Sequence, residues 1–217
     1  MDQEESRGKA QVVYFNNKNN APAIQQRDHG GLAALKTGGP GIQVVSNITN
    51  PQDNGKMANV MGSILQAHPG ANVVLGATST MLGVLSAFQA IGRAHDPDVY
   101  VSSTAGVEAD YDAIEAGTVY RATSAEPWNM WAYCIGQFAA DWLEGKSIPR
   151  GLGAGTVKDK GVEPMLTTVQ AVKKFRSYMA DPRGLWERPS ELAKVVSFYG
   201  NISYATRENW WRQEWTP

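Results

Sequence analysis

Between Asn72 and Gly92 the sequence runs NVVLGATSTMLGVLSAFQAIG. A short apolar run, Val73–Ala77, is followed by two hydroxyl residues, Thr78 and Ser79, and then by a helical pattern that stops at Gly92. Strand, polar turn, helix is the half-unit from which parallel α/β sheets are built. Thr78 or Ser79 is placed to cap the helix by accepting a hydrogen bond from a free backbone N–H. Most other units in the first 125 residues repeat this one.

Residues 11–16 (QVVYFN) are β-branched and aromatic and read as a first strand. A helix follows over 22–36, with Pro22 at a permitted first-turn position. Its Gly30–Gly31 pair weakens it unless the helix packs closely on something. After Gly38–Gly41, residues 42–48 form a second strand. Asn50-Pro51 reads as a helix start, Asn as cap and Pro first, and that helix runs to about His68. Met57, Val60, Met61, Ile64 and Leu65 fall on one face of it and should be buried. Asp98–Ser103 is a fourth strand, Thr104-Ala105-Gly106 the turn after it, Val107–Ala116 a short helix and Thr118–Ser124 a fifth strand. The alternation βαβαβαβαβ over 11–124 implies a fold of the α/β class: a parallel sheet with helices on both faces and right-handed crossovers.

Beyond this the pattern changes. Pro127–Glu144 reads as a longer helix whose face carries Trp128, Trp131, Ile135, Phe138 and Trp142. A stripe that large wants a partner surface, and it can also pair with a second copy of itself. A glycine-rich link, Arg150–Gly155, precedes an irregular section with helical character at 165–179 and 190–198. The expected organisation is a polar lead (1–10), an α/β ligand-binding lobe (11–126), the Trp-rich helix (127–150) and an irregular, partly helical C-terminal extension (151–217).

Several functions are excluded by what the chain lacks. The formal net charge is −1, so no basic field attracts nucleic acid or an anionic membrane. The opening MDQEESRGKAQ has no apolar core of the signal-peptide kind, and no run approaches the roughly 20 apolar residues of a membrane span. Cys134 is the only cysteine, which rules out an intramolecular disulfide and a cysteine metal cluster. His29, His68 and His95 have no metal-ligand spacing and read as helix-end or loop residues. The glycine clusters follow helices, whereas a dinucleotide fingerprint needs strand, glycines, helix in that order. Glu108, Asp110, Asp112 and Glu115 read as a solvated helix face. No nucleophile elbow or triad is present. The chain therefore reads as a binding protein, not an enzyme, and needs no cofactor or metal.

In open α/β sheets, ligands sit at the carboxyl ends of the strands. The polar residues there are Asn16, Asn17, Thr78, Ser79, Ser103, Thr104, Ser124 and Glu126, joined by Gln26 and Arg27 at the start of the first helix. They suit a polyhydroxyl or amide-bearing ligand, with Trp128 available to pack on an apolar face of it. The expected contact set is Asn16, Gln26, Arg27, Thr78, Ser79, Thr104, Glu126 and Trp128.

The segments VVYFNN, IQQRDHGGLAALK, MANVMGSILQAHPG, NVVLGATSTMLGVLSAFQAIG and VYVSSTAG…AIEAGTVYRATSAEPWNMWA…ADWLEGK resemble, in sequence and spacing, a known family. It is the type I periplasmic binding proteins of sugar ABC transporters, the ribose- and galactose-binding group. They are similar also to the effector domains of lac-repressor-type regulators. LQAHPG and LGVLSAFQAIG are the most specific parts. The resemblance implies the second lobe of a two-lobed protein that closes around its ligand, with the first lobe preceding Met1 and the helix from Pro127 packing on it. The chain would then be an N-terminally truncated form of a periplasmic component that captures a sugar or sugar-like solute and delivers it to an ABC permease. The alternative, the effector-binding domain of a transcriptional regulator, needs a basic helix-turn-helix ahead of the sheet, where this chain has an acidic start. The resemblance also implies an arginine near Gln26, Asn-Asp at Thr78–Ser79, an aspartate near Ala105 and often a glutamine near Ala125. Here Arg27 is one position off, and the two alanines cannot hydrogen-bond through a side chain. The family's usual charged clamp on a pentose or hexose is not expected in this chain.

Overall fold

The computed structural model describes residues 9–77, 81–126 and 165–181, together with positions 128, 132, 136, 139, 140 and 143–145. The chain forms two compact units, Met1–Ser124 and Ala125–Pro217. The first contains β1 (Ala10–Asn16), α1 (Pro22–Thr37), β2 (Ile42–Thr49), α2 (Asn54–Ala67), β3 (Val73–Gly76), α3 (Leu82–Ala90), β4 (Tyr100–Gly106), α4 (Glu108–Glu115) and all but the last residue of β5 (Tyr120–Ala125). In the second, the positions described between 128 and 143 are helical, and a two-residue strand β6 (Met165–Leu166) precedes α5 (Val169–Ala180). The Thr168 hydroxyl caps α5 by accepting from the Ala171 N–H at 3.1 Å. The predicted link at 150–155 and the helical stretch at 190–198 lie outside the described residues. Among the described residues no helix is long and apolar enough to cross a membrane.

The five strands of the first unit lie in the order β2-β1-β3-β4-β5. β1 pairs in parallel with β2 (Asn16 opposite Thr49) and with β3 (Tyr14 opposite Leu75), and β3 pairs in parallel with β4. This is the α/β architecture read from the sequence. Central β1 is covered on both sides, so Val12, Val13, Tyr14 and Phe15 are all buried and the strand reads as one apolar run. The step from β1 to β2 goes one way along the sheet, and the next three go the other way. With right-handed crossovers, α1 therefore covers one face, and α2, α3 and α4 the other. The reversal falls between β1 and β3.

Both helix layers depend on a glycine. On α1 a Cβ at Gly31 would lie 2.6 Å from the Tyr14 hydroxyl, which is the close packing that the Gly30–Gly31 pair required. On α3 a Cβ at Gly83 would press on the Asn54 backbone oxygen and come within 2.7 Å of the Met57 Cβ. Met57, Met61 and Leu65 are buried as expected, while Val60 and Ile64 are half-buried.

Four local expectations are corrected. α2 starts at Asn54, not at Pro51, and its cap is Asp53, whose carboxylate accepts from the Lys56 N–H at 2.7 Å. Asn50 instead accepts from the Gln52 N–H at 2.8 Å, and Gln52 has φ +56°, which no helix interior tolerates. β4 continues through Thr104 and Ala105 to Gly106, so these residues end a strand and do not form a free turn. α3 begins at Leu82 with Met81 at its N-cap and no side-chain cap; Thr78 and Ser79 lie outside the described residues. Asp110 is not on a solvated face. It is fully buried, and its Oδ2 accepts from the Val107 N–H at 3.0 Å.

Candidate functional site

The carboxyl ends of β1 and β2 carry a polar cluster built from short local bonds. The Asn16 amide donates to Asn47 Oδ1 (2.7 Å), and its Oδ1 accepts from the Thr49 hydroxyl and the Lys18 N–H (both 3.3 Å). The next residue, Asn17, follows the end of the strand. Asn17 is 2% exposed; its N–H donates to Asp28 Oδ2 (2.6 Å), and its Oδ1 accepts from Gln52 Nε2 (3.0 Å). Asn50, 5% exposed, donates its N–H to the Asn16 carbonyl at 2.8 Å. Asn17 Nδ2 and Asn50 Nδ2 are both buried without a hydrogen-bond partner.

Beside this cluster a cavity of about 250 Å³ opens between α1 and β2. Its wall is formed by Asn16, Lys18, Asn47 and one face of α1: Gln25, Asp28, His29 and Leu32. Asp28 is 4% exposed and also accepts from the Tyr14 hydroxyl at 3.3 Å. Burial first, then the charge of Asp28 and its hydrogen bond, push the Tyr14 phenol above the usual tyrosine range.

At the end of β4, the Thr104 hydroxyl is buried without a partner. Ala105 follows with φ +56° and donates its N–H to Ser124 Oγ at 3.3 Å. Ser103 is committed elsewhere. It accepts from the Tyr120 hydroxyl (2.6 Å) and donates on to Thr123 Oγ1 (2.7 Å), which donates to the Ser124 carbonyl (3.2 Å). The Tyr120 oxygen in turn accepts from the Met81 N–H at 3.3 Å. Burial, then the charge of Asp110, drive the Tyr120 phenol well above its usual range, although the bonds with Ser103 and Met81 act the other way.

Of the expected contact residues, Asn16 lines the cavity and Thr104 ends β4 with its hydroxyl unpaired. Gln26 is exposed and Arg27 half-buried on α1, and neither lines the cavity. In the second unit, Glu126 is 5% exposed and Trp128 is 54% exposed, with the Trp128 N–H on the Glu126 carbonyl at 2.9 Å. The sequence reading missed Gln25, Asp28, Asn47 and Asn50. A helical face at 25, 28, 29 and 32 is the signal that could have pointed to the first two. Among the described residues no group of His, Cys, Asp and Glu could hold a metal ion.

A parallel sheet of this order, with polar groups gathered at its carboxyl end, is an open α/β sheet. The chain belongs to the periplasmic binding protein domain family, whose model matches residues 3–147. No curated protein sequence matches the chain. Solved structures share its fold. The arabinose-binding protein AraP from Geobacillus stearothermophilus is 19% identical over 79% of this chain and 58% of its own, with a TM-score of 0.60. A periplasmic solute-binding protein of an ABC transporter from Actinobacillus succinogenes 130z, with bound D-allose, is 22% identical over 67% of this chain and 50% of its own, with a TM-score of 0.57. A solute-binding protein of an ABC transporter from Bacillus halodurans C-125, with bound myo-inositol, is 17% identical over 80% of this chain and 56% of its own, with a TM-score of 0.60. The chain thus spans about half the length of these structures.

Proposed function

We propose that this chain is the solute-capturing lobe of the substrate-binding component of an ABC importer, acting in the periplasm on a monosaccharide or a polyol of similar size. One observation carries the reading: Asn17 Nδ2, Asn50 Nδ2 and Thr104 Oγ1 are buried without partners, and all belong to residues at or just after the carboxyl ends of β1, β2 and β4. Buried polar atoms are nearly always paired. The carboxyl end of an α/β sheet is where an unpaired one has a use, because ligands bind there. Hydroxyl groups both donate and accept, so a polyol can serve amides and a threonine together. Family membership supports the class, and the D-allose and myo-inositol bound by two proteins of similar fold are ligands of this chemistry.

In this reading the lobe spans residues 11–126. Thr78 and Ser79 lie outside the described residues, and Gln26, Arg27, Glu126 and Trp128 stay in the proposed contact set. Capture by one lobe is weak, and closure of two lobes multiplies the contacts before delivery to a permease.

The test is a thermal-shift screen with pentoses, hexoses and inositols. A ligand that binds only the folded state raises the melting temperature, and does so increasingly with its concentration. An upward, saturating shift with at least one of them is expected. No shift with any of them, for a form that carries both lobes, overturns the reading.

A further inference from the structure

Among the described residues Asp28 is a buried carboxylate without a counter-cation. Its hydrogen bonds come from the Asn17 N–H and the Tyr14 hydroxyl, and no lysine, arginine or histidine among the described residues pairs with it. A buried charge is costly unless it is well satisfied. A carboxylate offers about four acceptor positions, of which two are filled here. Asp28 is one of the residues that line the cavity between α1 and β2.

We propose that Asp28 is the specificity-determining anchor for the solute, accepting hydrogen bonds from neighbouring hydroxyls of a polyol seated in the α1–β2 cavity. The proposal rests on the solute-binding reading and adds where the ligand-facing charge sits. The resemblance implies an aspartate near Ala105; this chain has no aspartate there and carries a buried carboxylate, Asp28, on α1 against the cavity. The lining selects for hydroxyls. An anion would meet Asp28, and a simple cation would meet the Lys18 ammonium. An apolar molecule would strip water from both and gain nothing from the amides of Asn16, Gln25 and Asn47, which already bond to one another or to the Asn20 carbonyl. A polyol donates to Asp28 and accepts from Lys18 and the amides, while Leu32 offers an apolar wall to its C–H face. The volume, about 250 Å³, lies just under the range of about 300–1,000 Å³ typical of drug-sized ligands and suits a smaller molecule.

The experiment is a titration of the whole chain with D-ribose, D-galactose and myo-inositol, followed by amide NMR shifts. The wild type, Asp28→Asn and Leu32→Trp are compared, with circular dichroism melts as the check on folding. Shifts centred on residues 16–18, 25–32 and 47 are expected with at least one sugar. Asp28→Asn removes the charge-assisted acceptor and should weaken that sugar by about tenfold or more. Leu32→Trp narrows the cavity without removing either bond to Asp28 and should do the same, which keeps the test decisive if Asp28→Asn fails to fold. A sugar that binds all three forms alike, or whose shifts gather at Thr104 and not on α1, overturns the role of Asp28 and leaves the solute-binding reading standing. Absence of shifts with all three sugars also overturns the role of Asp28, and the thermal-shift screen then decides the broader reading separately.

Discussion

The Gly83 N–H donates to Asn54 Oδ1 at 3.3 Å, so a side chain of α2 serves one of the free N–H groups at the start of α3. The missing Cβ of Gly83 is what permits this approach, since a methyl there would press on the Asn54 backbone oxygen and on Met57.

Gly83→Ala should therefore destabilise the fold, although alanine is the better helix former by about 1 kcal/mol. Overpacking against backbone that cannot yield outweighs that gain, and a net loss of about 1–3 kcal/mol is expected. A lower urea midpoint with an unchanged slope is the signature. A variant as stable as the wild type would show that the two helices can slide apart at little cost.

Ala105 gives the opposite case. Its φ of +56° is a conformation that L-residues other than Asn and Asp rarely adopt. Ala105→Gly should stabilise by about 0.5–1 kcal/mol, and Ala105→Val should destabilise by at least as much. Melting temperatures of the pair, read side by side, check this. If both substitutions lower stability, contacts and not backbone conformation decide the position.

These two positions show what was legible in the sequence and what was not. The strands were readable because β1 is buried on both faces and so carries an unbroken apolar run. The α/β architecture followed from the alternation and the handedness of crossovers. The start of α2 was not readable. Asn50-Pro51 and Asp53 are both plausible caps three residues apart, and only the left-handed turn at Gln52 decides between them. Asp110 was misread because carboxylates near a helix start usually face water; here it turns back to the Val107 N–H and is buried. The lining of the cavity was not legible. Residue type identified polar strand ends such as Asn16 and Thr104, but which face of α1 meets the cavity depends on how that helix is rotated over β1. That rotation selects Gln25 and Asp28 over Gln26 and Arg27.

The Arg93–Asp96 pair predicts an acid-sensitive contribution. Burial would raise the Asp96 carboxyl, but the Arg93 hydrogen bond at 2.8 Å, the Asp98 N–H and the charges of Arg93 and Arg121 outweigh it and hold it below the usual range. A depressed carboxylate stabilises the fold above its unfolded pKa, near 3.9, and that contribution is lost as pH falls through the lower folded value. Asp96→Asn should thus be less stable than the wild type at neutral pH, with the gap closing below about pH 4. A gap that is constant between neutral and acid pH would assign the effect to the amide's packing and not to charge.

Tyr120 joins β5 to β4 and to the start of α3 through one hydroxyl. Tyr120→Phe leaves the Ser103 hydroxyl and the Met81 N–H without that partner, and a cost of about 1–3 kcal/mol is expected. Adding Ser103→Ala should cost less than the sum of the two single changes, since the pair shares one bond. The raised phenol also fixes the alkaline limb. A raised folded pKa keeps its stabilisation below the unfolded value near 10, and it is lost as pH rises beyond that. Wild-type stability should fall above about pH 10, and Tyr120→Phe should flatten that fall. Equal alkaline slopes for the two proteins would place the effect at Tyr14 or Tyr100, the other phenols raised by burial in the first unit.

Thr104 offers a test in which stability and binding move in opposite directions. Its hydroxyl is buried at the end of β4 with no partner. Thr104→Val replaces that hydroxyl by a methyl of nearly the same shape. An unsatisfied buried hydroxyl carries a desolvation penalty of about 1–3 kcal/mol, so removing it should leave the ligand-free protein as stable as the wild type or up to that much more stable. If the hydroxyl is held in reserve for a polyol, the same change should weaken binding of the tightest sugar by about tenfold, as expected for one lost hydrogen bond. Denaturation midpoints and calorimetric titration of one preparation give both quantities. A Thr104→Val protein that is less stable would mean that the hydroxyl has a structural partner in solution. One that binds the sugar as tightly as the wild type would remove Thr104 from the contact set and leave the rim of the site to the residues of β1, β2 and α1.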